Sequence, residues 1–300
     1  MALLVAVGGF TVAYASYRDR QGPAGAVRGY LKAVARGDAS AALGYGRLPA
    51  GGTPFLTAAV LHQQLQIAPL RDVTVVSTST HGSTAKVTYS YSLDFSSGEV
   101  RISDTVGVVK EGGRWVLSRV AATPDLTMTQ ASDRASLAGV AVPTGRTALF
   151  PGAIPITFDT PYLRLTLDTE QLRLSDTSTA DLTVELTGTG NSHFKSALSA
   201  ALAACASGAS AVVSCPVPSS QFVPGSMRGT LHLDSKGLAL GVEPNPAGSV
   251  SIAGTANFVG TYRTLDFNDI AQSKKGKLTV PFQAVGYAVE PLSLRFVGFL

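Results

Sequence analysis

The sequence predicts an α+β protein in three parts. An N-terminal hydrophobic helix comes first, then a cone-shaped domain of helices and antiparallel sheet, then a β-rich α+β second domain. Three observations carry this reading. Residues 2–17 (ALLVAVGGFTVAYASY) contain no charge. From Gly22 to Gly46, Val27, Tyr30, Leu31 and Val34 fall at i, i+3, i+4 and i+7, the spacing of one apolar helix face. Beyond that point apolar and polar residues alternate in strand after strand, the signature of half-buried sheet. The boundaries fall at 1–20 for the hydrophobic segment, 21–122 for the cone, 123–138 for a polar linker and 139–300 for the second domain.

The first segment ends at Arg18-Asp19-Arg20. Its sixteen uncharged residues are a little short of the ~20 that span a bilayer as a helix. They are long for a signal-peptide core, and no basic stretch precedes them, although Ala13-Tyr14-Ala15 fits a small-x-small cleavage site. Two export readings follow, a single-pass membrane anchor and a cleaved signal; either puts most of the chain outside the cytoplasm.

Next come two helices separated at Gly37-Asp38, with Arg28, Lys32 and Arg36 on the solvent side of the first. Thr53-Pro54 reads as an N-cap with Pro at the first helical position, opening a third helix through Leu65. Val73 and Val75 lie on a first strand. On the second, Val87, Tyr89, Tyr91, Leu93 and Phe95 share one face. Ser96-Ser97-Gly98 turns the chain into a third strand, Val100 to Lys110, and Glu111-Gly112-Gly113 makes a hairpin into Arg114-Trp115-Val116-Leu117.

The pattern AVRGYLKAVARGDASAALGY, followed by a strand meander ending in GGRWVL, resembles the nuclear-transport-factor-two-like superfamily over residues 22–122. That superfamily includes ketosteroid isomerases, polyketide cyclases and many non-enzymatic envelope modules. The resemblance implies a helix-filled cone with a pocket inside it, and it leaves function open, because one fold hosts many activities.

In the second domain, Phe150-Pro151-Gly152 reads as a turn closing a short β module. Tyr162 to Leu174 alternates, with Leu163, Leu165 and Leu167 on one face, and Asp181 to Leu186 is a further strand. Asn191 or Ser192 caps a helix carrying Phe194, Leu198 and Leu202 and ending at Cys205 and Gly208. A meander follows, with turns at Lys236-Gly237 and Pro244-Asn245-Pro246 and strands Val250–Phe267, Leu278–Val289 and Leu292–Phe299. Cys205 and Cys215, with nine residues between them and no CxxC pair or His cluster nearby, read as a short-loop disulfide formed in an oxidising compartment. The Ala-rich helix followed by Cys, a short loop and Cys-Pro is similar to membrane-anchored extracytoplasmic proteins of actinobacterial type.

Composition narrows the function classes. The net charge of +4 is spread thinly with no basic stripe among aromatics, which argues against nucleic-acid binding. His62, His81, His193 and His232 are dispersed, so no metal site is expected. Gly188-Thr189-Gly190 lacks the strand–GxGxxG–helix order and no Walker-type lysine occurs, so no cofactor is expected. Ser192-His193-Phe194-Lys195 matches the S-x-x-K acyl-serine signature, but the partner motifs are missing, and a helix cap followed by a solvated lysine explains it.

Asp104 is the weak catalytic candidate. It shares a strand face with Val100, Ile102, Val106 and Val108, where an unpaired carboxylate costs several kcal/mol. Either a β-bulge at Ser103-Asp104 turns it outward, or it points into the cone, with Tyr30, Tyr45, Tyr89 and Tyr91 supplying phenols and Trp115 a stacking wall. No second carboxylate is placed to assist it. The primary reading is a non-enzymatic, membrane-tethered extracytoplasmic binding or scaffolding protein, in contact with the membrane through its N-terminal segment and with an envelope polymer or protein. The alternative is an isomerase- or cyclase-like enzyme built around Asp104. The sequence names no ligand.

Overall fold

The computed structural model describes residues 22–49, 53–143, 145–207, 215–216, 222–223 and 225–297. The apolar segment 2–17 lies outside the described residues, and among them no helix is long and apolar enough to cross a membrane. Helices α1 (Pro23–Ala35), α2 (Ala39–Leu43) and α3 (Ala58–Ile67) lead into β1 (Leu70–His81), β2 (Thr84–Phe95), β3 (Gly98–Glu111) and β4 (Arg114–Leu117). Short strands follow: β5 (Asp125–Met128), β6 (Ala135–Leu137), β7 (Val140–Ala141), β8 (Gly152–Ala153), β9 (Ile156–Phe158), β10 (Leu163–Leu165), β11 (Gln171–Leu172), β12 (Thr179–Leu182) and β13 (Val184–Leu186). Helix α4 (Gly188–Ser207) then precedes β14 (Arg228–Val242), β15 (Ser249–Leu265), β16 (Ala271–Tyr287) and β17 (Ser293–Val297). The fold is α+β with antiparallel sheets.

The chain divides into two compact units, neither of them continuous. The first takes the chain through Thr127 together with Ser136–Thr157 and Leu167–Leu182; the second takes Met128–Ala135, Phe158–Thr166 and everything from Thr183. This division differs from sequence boundaries at 122 and 138. Residues 123–138, expected as a linker, contain β5, a 3-10 turn at Ser132–Arg134 and β6. Two later segments belong to the first unit because its core needs them: Phe150, Ala153 and Leu174 are buried in one cluster with Val27, Leu31, Tyr89 and Ile102.

In the first unit, β1 to β4 form one antiparallel sheet in sequence order. The apolar stripe of α1 is buried as its spacing requires, and Arg28, Lys32 and Arg36 are exposed. Asp38 caps α2 by accepting the Ala41 N–H at 2.9 Å. The cap of α3 is Thr57, which accepts the Val60 N–H, whereas Thr53-Pro54 forms a turn closed by the Leu56 N–H on the Thr53 carbonyl. Gly112 and Gly113 both have positive φ, as a two-residue hairpin with the right-handed strand twist demands. On β2 the predicted face is buried, and Ser90 and Ser92 of the opposite face are buried too.

Gln64 on α3 ties a later segment to this core. It is 2% exposed, and its Nε2 donates to the Phe150 carbonyl at 2.9 Å and the Ala153 carbonyl at 2.7 Å. Gln64→Leu keeps the volume but leaves both acceptors without that donor. Urea unfolding should show a loss of about 1.5–3 kcal/mol; an unchanged midpoint would mean that segment 150–153 does not dock there.

In the second unit, β14 to β17 pair in order as an antiparallel sheet. Phe194, Leu198 and Leu202 of α4 are buried, and the Phe194 ring lies where a Cβ on Gly286 of β16 would meet it at 2.7 Å. Four sequence expectations change here. Lys236-Gly237 is not a turn: β14 runs straight through it with a register irregularity between Asp234 and Ala239. The expected strand from Tyr162 to Leu174 is broken into β10 and β11, and Asp181–Leu186 splits at Thr183, so that β13 pairs with β10. The N-terminal cap of α4 is Thr187, which accepts the Gly190 N–H at 3.0 Å. Ser192 therefore sits inside the helix, away from the start that an acyl-serine motif occupies.

Cys205 and Cys215 are joined, with Cα atoms 5.6 Å apart. By the loop-closure argument the bond stabilises this unit by about 2–3 kcal/mol. Cys205→Ser with Cys215→Ser should lower the melting temperature accordingly, and two alkylatable thiols in protein isolated without reductant would contradict the bond.

Candidate functional site

Period-two alternation on β3 places Asp104 on the inner face, and the pairing of β2 with β3 is continuous from Thr84–Val109 to Phe95–Gly98. No bulge occurs at Ser103-Asp104, which overturns the outward reading. Asp104 is 9% exposed and sits directly across from Tyr89.

Its carboxylate is hydrogen-bonded on both oxygens. The Tyr89 phenol donates to Oδ2 at 2.8 Å, the Ser175 N–H donates to the same oxygen at 3.0 Å, and the Thr105 N–H donates to Oδ1 at 2.7 Å. These three donors replace the water lost on burial. Two residues along β2, Tyr91 donates to the Leu172 carbonyl at 3.2 Å, and its ring lies nearly parallel to that of Tyr89, centroids 6.2 Å apart. Tyr30, from α1, donates to the Val120 carbonyl at 2.8 Å.

Burial pushes all three phenols up. For Tyr89 the Asp104 charge and hydrogen bond add to the effect; for Tyr91 the charges of Asp104 and Asp176 add to it and Arg173 opposes it; for Tyr30 the addition comes from Tyr91. Asp176 is also pushed up, first by desolvation and further by Asp104, while the Arg173 N–H and charge pull it down.

Two of the predicted pocket residues stand elsewhere. Tyr45 packs its ring end against Gly29 of α1, where a Cβ would meet the phenol oxygen at 2.4 Å. Trp115 pairs with Lys110 at the hairpin end of the sheet, six residues along β3 from Asp104 and so about 20 Å away along the strand. It cannot be a stacking wall for that carboxylate.

The residues that sequence reasoning missed are Leu172, Ser175 and Asp176. They were assigned to the second domain, yet they supply an acceptor, a donor and a second carboxylate around Asp104. No local signal marks them, since a two-residue strand has no periodicity to read. Chemically, the arrangement is closed. A general base needs a lone pair aimed at a substrate proton, and here the chain's own groups already surround the carboxylate. Among the described residues, no group of three or more His, Cys, Asp or Glu is placed to hold a metal ion.

No protein-family profile and no curated protein matches the chain. Solved structures match parts of it. A SEC-C motif containing protein from Rhodopseudomonas palustris aligns at 17% identity over 37% of this chain and 84% of its own, with a TM-score of 0.29. A putative NTF2-like transpeptidase from Campylobacter jejuni aligns at 12% identity over 31% of this chain and 93% of its own, TM-score 0.24. A Δ5-3-ketosteroid isomerase from a Mycobacterium species aligns at 16% identity over 32% of this chain and 88% of its own, TM-score 0.24. Two of these three carry the names NTF2-like transpeptidase and ketosteroid isomerase.

Proposed function

We propose that the chain is a non-enzymatic binding or scaffolding protein of the bacterial cell envelope, working outside the cytoplasm and tethered to the membrane by its N-terminal segment. The observation that carries the non-enzymatic part is the hydrogen bond from the Ser175 N–H to Asp104. With the Tyr91–Leu172 bond beside it, the chain's own backbone takes the position a substrate would need. Location is supported by the Cys205–Cys215 bond, which suits an oxidising compartment, and by the uncharged run at 2–17. Its partner in this reading is an envelope polymer or protein.

The convergence of Asp104, Tyr89 and Tyr91 favours a second reading, an isomerase- or cyclase-like enzyme in which residues 171–176 swing aside. Mass spectrometry of the full chain isolated from its native source distinguishes the two. The first reading expects no retained compound whose binding depends on Asp104, and recovery with membranes or medium. A compound that stays bound in the native chain and is absent from Asp104→Ala would favour the second; recovery from the cytosol would defeat the proposed location.

A further inference from the structure

A separate cavity of about 350 Å³ lies in the first unit, lined by Arg47, Arg119 and Arg146. Ser118, Thr123 and Thr177 add hydroxyls, and among the described residues no acidic one lines it. The three guanidiniums come from chain positions far apart, after α2, after β4 and between β7 and β8, so the tertiary fold alone brings them together. Their states differ. Arg47 forms an exposed ion pair with Glu111. Arg119 uses one N–H to reach the Ser175 carbonyl at 3.3 Å. The exposed Arg146 side chain has no hydrogen-bond or ion-pair partner among the described residues.

We propose that this cavity binds a phosphoryl oxyanion, either free phosphate or a phosphate monoester carried on a larger envelope molecule. Planar guanidiniums match tetrahedral oxyanions through paired N–H bonds, which a lone lysine cannot do. The hydroxyls complete such a shell by donating to the remaining oxygens, and the volume suits a small ligand. Cationic charge without a lining carboxylate selects against cations and neutral sugars. The site adjoins the Asp104 cluster at Ser175, whose carbonyl accepts from Arg119 and whose N–H donates to Asp104, but its lining side chains are not those of that cluster.

Titration calorimetry on the full chain with inorganic phosphate and with glycerol phosphate tests the site. Saturable binding that weakens with added salt is expected. Arg146→Gln and Arg119→Gln should each weaken it roughly tenfold, and Arg28→Gln, on the exposed face of α1, should leave it unchanged. Arg146→Gln removes no described contact, so its melting temperature should match the parent and fold loss cannot mimic the result. Equal affinity for both probes identifies free phosphate as sufficient; preference for glycerol phosphate identifies the monoester. Absence of saturable binding by either probe, or equal losses in Arg28→Gln and Arg146→Gln, overturns the proposal.

Discussion

Asp104→Ala is expected to destabilise the protein by about 2–3 kcal/mol. The substitution removes the acceptor for the buried Tyr89 phenol and for the part-buried backbone N–H groups of Ser175 and Thr105, and it is the phenol that is left buried without its partner. Asp104→Asn separates this explanation from simple loss of volume. Its amide oxygen can keep the bonds from Tyr89 and Ser175, but its NH₂ then faces the Thr105 N–H, donor against donor. That variant should lose about 1–2 kcal/mol. An inward acid without donors would tolerate Asn freely; three donors make it costly. Urea unfolding curves of the two variants check the order, and an Asn variant as stable as the parent would contradict the hydrogen-bond assignment.

A second large effect is expected in alkali. Tyr30, Tyr89 and Tyr91 keep their protons in the folded state well beyond the usual phenol range, chiefly because burial penalises the phenolate. In the unfolded chain they ionise near pH 10. Above that pH the folded state holds more protons than the unfolded one, so stability is full below about pH 10 and falls as pH rises. Each tyrosine contributes up to about 1.4 kcal/mol per pH unit, and the three together about 4. Phenolate absorbance from these residues should therefore appear together with cooperative unfolding. Tyr89→Phe with Tyr91→Phe should flatten the alkaline slope. Three phenolates titrating near pH 10 in protein that is still folded would contradict the burial.

The elements that were legible in the sequence are those with a period. Val27, Tyr30, Leu31 and Val34 at helical spacing, and Val87 to Phe95 at strand spacing, are buried where those periods place them. The same alternation put Asp104 on the inner face of β3, and only the supposed bulge obscured it. What was hidden was contributed from a distance. Ser175 reads as one polar residue in a polar stretch, and its N–H matters only because the fold delivers it 71 residues back to Asp104. Gln64 is a polar helix residue that no apolar pattern marks, and it is a buried clamp on Phe150 and Ala153. The division into compact units crosses the boundary drawn at Ala122 for the same reason: β1 to β4 are a continuous pattern, whereas the segments completing the core beside them are fragments too short to show one. Turn chemistry misled at Lys236-Gly237, where a long strand absorbs the glycine as an irregularity rather than reversing.

Amide hydrogen exchange at Ser175 tests most directly whether the chain closes over Asp104 with its own backbone. Its N–H is bonded to a buried carboxylate and should exchange as slowly as the central amides of β2 and β3, with that protection lost in Asp104→Ala. Exchange of the Ser175 amide at the rate of an open loop, while β2 and β3 stay protected, would show the interior open and contradict the account.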